Sequence, residues 1–175
     1  MIIVLIVIII LVIYFLIIYN LIIQKANLVK HSKSIIDVYL TQRFNLIPNL
    51  VECVKEYERY EKTIFEKIIN LRTKFMKDKE LSTGGVLDEE INKTIIILEN
   101  YPELKASEQF LNLQKNLEKM ENQIQAARRI YNNNVEDYNN LIKIFPNNIL
   151  AKIFNFRSKD FFRMEQNNGN IKKIY

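Results

Sequence analysis

SEQFLNLQKNLEKMENQIQAARRIYNNNVEDYNNLIKIF, residues 107–145, is the stretch whose reading decides the fold. Phe110, Leu117, Ile124, Tyr131, Tyr138 and Phe145 recur every seven residues, and Leu113, Met120, Ala127 and Leu141 fill the intervening positions. Only Asn134 interrupts the second series, while Ile130, Val135 and Ile142 widen the stripe. Such spacing gathers the apolar side chains on one face of a helix. The face is broader than the two-position seam of a free coiled coil, so it is suited to burial among several helices. At ~1.5 Å per residue the helix spans on the order of 55 Å.

Working outward, breakers are scarce: the chain has 3 Gly and 3 Pro. Pro48, Pro102 and Pro146 mark boundaries, and Gly84-Gly85 reads as an interhelical loop. Between them the apolar period is helical, without strand-like alternation. Residues 48–77 carry Leu50, Val54, Tyr57, Ile64, Ile68, Leu71 and Phe75 on one stripe. Residues 86–101 carry Leu87, Ile91, Ile95 and Leu98, and residues 24–43 continue an N-terminal helix. Pro48 reads as a first-turn proline, with a kink in one longer helix as the alternative. Tyr101-Pro102 ends the third helix, and Ser107 with Glu108 opens the fourth. The expectation is an all-α protein whose residues 24–156 form an antiparallel up-and-down four-helix bundle with long helices.

Ahead of this stands an uncharged run from Met1 and Ile2 to Ile23, polar only at Tyr14, Tyr19 and Asn20. About 20 apolar residues cross a ~30 Å hydrocarbon core, so residues 1–23 are expected to be a transmembrane anchor. A cleaved signal peptide fits less well, since no basic n-region precedes the run and no small-x-small site follows it. Lys25, Lys30 and Lys33 follow the span, which by the positive-inside rule places the bulk of the chain in the cytoplasm.

The net charge of +5 divides into basic ends and an acidic middle. Nucleic-acid binding is not expected, because no basic stripe interleaved with aromatics occurs. The single cysteine, Cys53, excludes an intramolecular disulfide and reads as a buried, inert thiol. His31 is the one histidine and reads as a solvated residue near the membrane, so the Glu-x-x-His pairs of di-metal bundles are absent. Neither a phosphate-binding loop nor a nucleophile motif is found, and Asn92-Lys93-Thr94 is read as a chance sequon inside a helix. No catalytic residue, cofactor, metal or small-molecule substrate is expected.

Three ordered blocks carry a resemblance. The first is Ile36-Asp37-Val38, Leu40, Arg43, Leu46-Ile47-Pro48-Asn49-Leu50-Val51 and Val54-Lys55-x-Tyr57. The second is Glu99-x-Tyr101-Pro102-x-Leu104-Lys105-Ala106 with Phe110. The third is Glu121, Ile124, Ala127-Arg128, Tyr131-Asn132, Val135, Tyr138-Asn139 and Phe145-Pro146. Over roughly residues 20–156 the chain resembles the LemA family of bacterial membrane proteins. The resemblance implies an N-terminal anchor, a four-helix up-and-down bundle and no established catalytic activity. Proximity of some members' genes to membrane proteases implies envelope maintenance as a further theme. Asn155 stands where the family usually has Gly, and Tyr60 where a His is frequent.

Two sets of residues are singled out. Asp37, Arg43, Glu61, Glu121 and Arg128 are expected to form a partly buried ion-pair network that fixes helix register, a role such pairs fill better than net stabilisation. A carboxylate site with shifted pKa or a bound cation is the functional alternative. In the short basic tail, residues 157–175, Phe161 and Phe162 with Lys159 and Arg163 are expected to contact an anionic membrane surface. Phe154 and Phe156 are expected to cap the core. The partners expected are thus the lipid bilayer and a protein bound by a membrane-tethered, non-catalytic scaffold. The alternative is an envelope-stress accessory that binds a membrane protease or its substrate from outside the cytoplasm.

Overall fold

In the computed structural model, residues 1–55 and 62–162 are described, and every regular element among them is helical. The order is α1 (Ile2–Phe44), α2 (Ile47–Lys55), α3 (Lys62–Asp78), α4 (Leu81–Leu98), α5 (Pro102–Lys105), α6 (Glu108–Lys143) and α7 (Asn147–Ile153). Contacts group the described residues into two compact units, Met1–Ile36 with Gln125–Phe162, and 37–124.

In the first unit the outer part of α1 is bare. Every residue from Met1 to Leu16 is at least 37% exposed, and the helix is long and apolar enough here to cross a membrane by length and composition. Burial begins at Ile22 and continues through Val29, Ser32 and Ile36, one step per two turns or less. From α6 come Ala127, Tyr131, Val135, Tyr138 and Ile142, and from α7 Leu150 and Ala151. Lys25 pairs with Asp137 at 2.7 Å, while the Tyr19 ring packs at a tilt against Phe154, 4.9 Å between ring centroids. Earlier residues of α1 thus meet later residues of the returning chain, the antiparallel sense.

The heptad stripe of α6 is buried as its period requires from Phe110 to Tyr138. Two expected members fall out of it, Phe145 at 75% exposed and Ile130 at 52%, while Val135 and Ile142 widen it as the spacing suggests. The helix ends at Lys143, two residues before Phe145, which leaves that side chain off the helical face.

In the second unit the core is Leu40 and Phe44 of α1, Ile47, Leu50, Val51 and Val54 of α2, Phe65, Ile68 and Phe75 of α3, and Leu87, Ile91 and Leu98 of α4. Leu104 of α5 and Phe110, Leu113, Leu117 and Ile124 of α6 complete it. Phe44 and Phe75 meet edge to face at 4.9 Å, a favourable aromatic geometry. Pro48 lies in the first turn of α2, and Ser107 accepts from the Phe110 N–H at 3.4 Å, as expected of a cap. The α1 C-terminus is closed by Arg72, whose Nε donates to the Phe44 carbonyl at 2.9 Å.

Gly84-Gly85 is not a loop. Both glycines lie within α4, and the break falls earlier, at Lys79, whose φ is 52°. A Cβ on Gly84 would stand 2.8 Å from Leu40 and 2.9 Å from Phe75. The glycine is there because three helices approach too closely for any side chain, not because the chain turns.

Candidate functional site

Three features concentrate polar or aromatic chemistry. The first is a buried cluster in the second unit. Arg43, 1% exposed near the end of α1, donates through Nη1 to Asp88 of α4 and to Glu121 of α6, and through Nη2 to Asn92 of α4. Asp88 is 1% exposed, so this is a charge cluster inside a helical core. Burying such charges is tolerable only when each meets a partner, and the planar guanidinium provides several donors in a fixed fork. Of the expected network, Arg43 and Glu121 meet here. Asp37 is half-buried one to two turns earlier on α1, where its carbonyl accepts from Thr41 Oγ1 at 2.7 Å. Arg128 belongs to the other unit, and Glu61 lies outside the described residues. Asp88 and Asn92 stand outside the network expected from the sequence. Their spacing of four places both on one face of α4, which is the signal available beforehand.

The second feature is a clamp on the chain that follows α7. Asn139 Nδ2 donates to the Lys159 carbonyl at 2.9 Å, and the Lys159 N–H donates to Asn139 Oδ1 at 2.8 Å. One heptad earlier, Asn132 repeats the pattern on Phe162, with bonds of 3.2 and 2.8 Å. Between them the Tyr131 hydroxyl donates to the Asp160 carbonyl at 3.0 Å. Burial, and secondarily the nearby Asp160, raise the Tyr131 pKa above its ordinary 10.0. The Arg128 guanidinium lies 4.8 Å from the centre of the Phe162 ring, within cation–π range. Phe162 is therefore half-buried on α6, whereas Phe161 is 43% exposed and the Lys159 side chain is exposed. Arg163 lies outside the described residues.

The third feature is an apolar corner beside the bare part of α1. Ile144, Phe145, Ile149, Ile153 and Phe154 are all 46% exposed or more. Phe154 and Phe156 pack tilted against Tyr19, with centroids 4.9 and 6.0 Å away, so the corner touches α1 where its uncharged run ends. Phe154, expected to cap the core, is half outside it.

Cys53 is half-buried rather than buried, in an open groove with Asn49, Glu52, Ser107, Asn112 and Asn116. Asn92 of the sequon is committed to Arg43, and Thr94 Oγ1 donates to the Glu90 carbonyl at 2.8 Å, so that motif is structural. Among the described residues no group of three His, Cys, Asp or Glu side chains is arranged to hold a metal ion.

An all-helical chain with an apolar N-terminal helix, a buried arginine–carboxylate cluster and a clamped tail defines the class. The chain belongs to the LemA family, whose model matches residues 32–174. A search of curated proteins returns no match.

Proposed function

We propose that the protein is a membrane-tethered, non-catalytic interaction protein. Residues 1–23 anchor it in the bilayer, and the helices beyond form an antiparallel four-helix bundle that presents a surface to a protein partner. One observation carries the reading: the sleeve of uncovered Ile, Val and Leu on α1 runs into the exposed Ile153–Phe154 corner through Tyr19. A continuous apolar surface of this extent, rimmed by Lys143, Lys152 and Arg157, suits a hydrocarbon core and its anionic interface better than water. Membrane contact is thereby better supported at Ile153 and Phe154 than at Phe161 and Phe162.

Lysines 25, 30 and 33 favour a cytoplasmic bundle. Sidedness is tested with a Cys53→Ser chain carrying Ser82→Cys, an exposed position early in α4. Thiol labelling by an impermeant reagent only after lysis is the expected result. Labelling of intact cells would place the bundle outside and favour the envelope-accessory reading. Recovery of the chain in the soluble fraction after alkaline extraction would overturn the anchor itself.

A further inference from the structure

The clamp on residues 159–162 joins two repeats that match in length. Asn132 and Asn139 are seven residues apart on α6, about 10.5 Å of helical rise. Lys159 and Phe162 are three residues apart, which covers about 10 Å only if the chain is nearly extended. Each asparagine meets a residue whose N–H and C=O both face the helix, which a three-residue spacing allows for an extended chain of threefold twist but not for the twofold alternation of a β-strand. Meanwhile Lys159, Asp160 and Phe161 turn their side chains to solvent. A segment retained for its own apolar content would bury those side chains. This one displays them, and all five bonds of the clamp end on its peptide groups.

We propose that this face of α6 is a receptor for an extended peptide segment of a partner protein. The segment is bound through its main chain, with an aromatic side chain over Arg128, and residues 159–162 fill the seat in cis. The proposal rests on the interaction reading and gives the partner its chemistry, but it is independent of the membrane contact. The chain's own tail shows the mode of binding and also regulates it, since an incoming segment must displace it.

The test uses the full chain in detergent with Lys159→Pro and Phe162→Pro together. Proline has no N–H, so both donors to the asparagines are lost while the seat stays intact. The probe is a fluorescent, end-capped hexapeptide of residues 157–162, Arg-Ser-Lys-Asp-Phe-Phe. Because a tethered tail competes at an effective concentration on the order of mM, the vacated chain should bind the probe about tenfold or more tightly than the native chain does. Exchanging Lys and Asp in the probe should leave affinity unchanged, and adding Asn132→Ala with Asn139→Ala should abolish binding. A vacated chain that keeps its helix content and cooperative melt yet shows no saturable binding would overturn the proposal, as would binding indifferent to the asparagines. If the prolines unfold the chain, amide exchange on the native protein decides. Excess probe should strip protection from the Lys159 and Phe162 amides, and unchanged protection would sink the idea. Either failure would leave membrane extraction and sidedness as they were, so the two readings fail separately.

Discussion

Asn155 has φ of 55° just past α7, and the two bonds around it are those of a Schellman closure. The Phe156 N–H reaches back to the Ala151 carbonyl at 2.8 Å, and the Asn155 N–H to Lys152 at 3.2 Å. The left-handed region costs an L-residue energy that glycine escapes, with asparagine the mildest alternative. That is the physical sense of the family's usual Gly at this position. Asn155→Gly is expected to stabilise by about 0.5 kcal/mol in chemical denaturation, the relief of backbone strain slightly exceeding the added chain entropy. Gly84→Ala should do the opposite. With Leu40 and Phe75 within 3 Å of the new methyl, about 1–3 kcal/mol of overpacking is expected, read as a lower denaturation midpoint at unchanged slope. Gly84 also shows how a residue can mislead when read alone. A Gly-Gly pair signals a turn because it is flexible, but here its missing side chains are what matter, and only the neighbours across the core reveal that. The true break, at Lys79, has no sequence signal, since lysine rarely adopts positive φ. Its conformation is held from outside: Nζ bonds to Thr41 at 2.9 Å and sits 5.1 Å from the centre of the Phe75 ring.

Among the elements, α6 was the most legible and also the most incompletely read. Its heptads give the buried face from Phe110 to Tyr138, but periodicity says nothing about what the flanking polar positions hold. Asn132 and Asn139 look like ordinary polar neighbours of the stripe, and their heptad spacing gains meaning only when residues 159–162 lie beside them. Tyr131 links the buried stripe to that polar flank, and so makes the tail's attachment sensitive to pH. Its raised pKa means that the unfolded chain loses the proton first, near 10.0, while the folded chain still holds it. Its contribution is therefore complete below that value and is lost as pH rises through the folded-state pKa. Tyr131→Phe should lower stability at neutral pH by about 1 kcal/mol, the net worth of one hydrogen bond, and flatten the loss of stability above pH 10 in thermal melts.

At the scale of the molecule, the Arg43 cluster ties α1 to α4 and α6 by charges buried inside a helical core. Arg43→Met would strand two carboxylates there, and about 3–5 kcal/mol of destabilisation is expected in denaturant titrations. Replacing all three groups at once, Arg43→Met with Asp88→Leu and Glu121→Met, should recover most of that loss. A triple variant as weak as the single one would show that packing rather than charge is at stake. The sequence made Arg43 and Glu121 conspicuous because charged residues beside apolar stripes are uncommon. Asp88 and Asn92 lie beside the Leu87, Ile91 and Ile95 stripe of α4, but an Asp and an Asn at a stripe's edge read as solvated polar neighbours until Arg43 lies opposite them.

The commensurate spacing of helix and tail means that the clamp counts residues instead of reading them. Side chains at 159, 160 and 161 can be exchanged freely, since they face water and the asparagines touch only the backbone. The number of residues cannot change so freely. One residue inserted between Lys159 and Phe162 would bring only one of the two asparagines into register at a time and halve the protected amides seen by hydrogen exchange. Inheritance should therefore treat this tail as a stretch of fixed length and loose spelling.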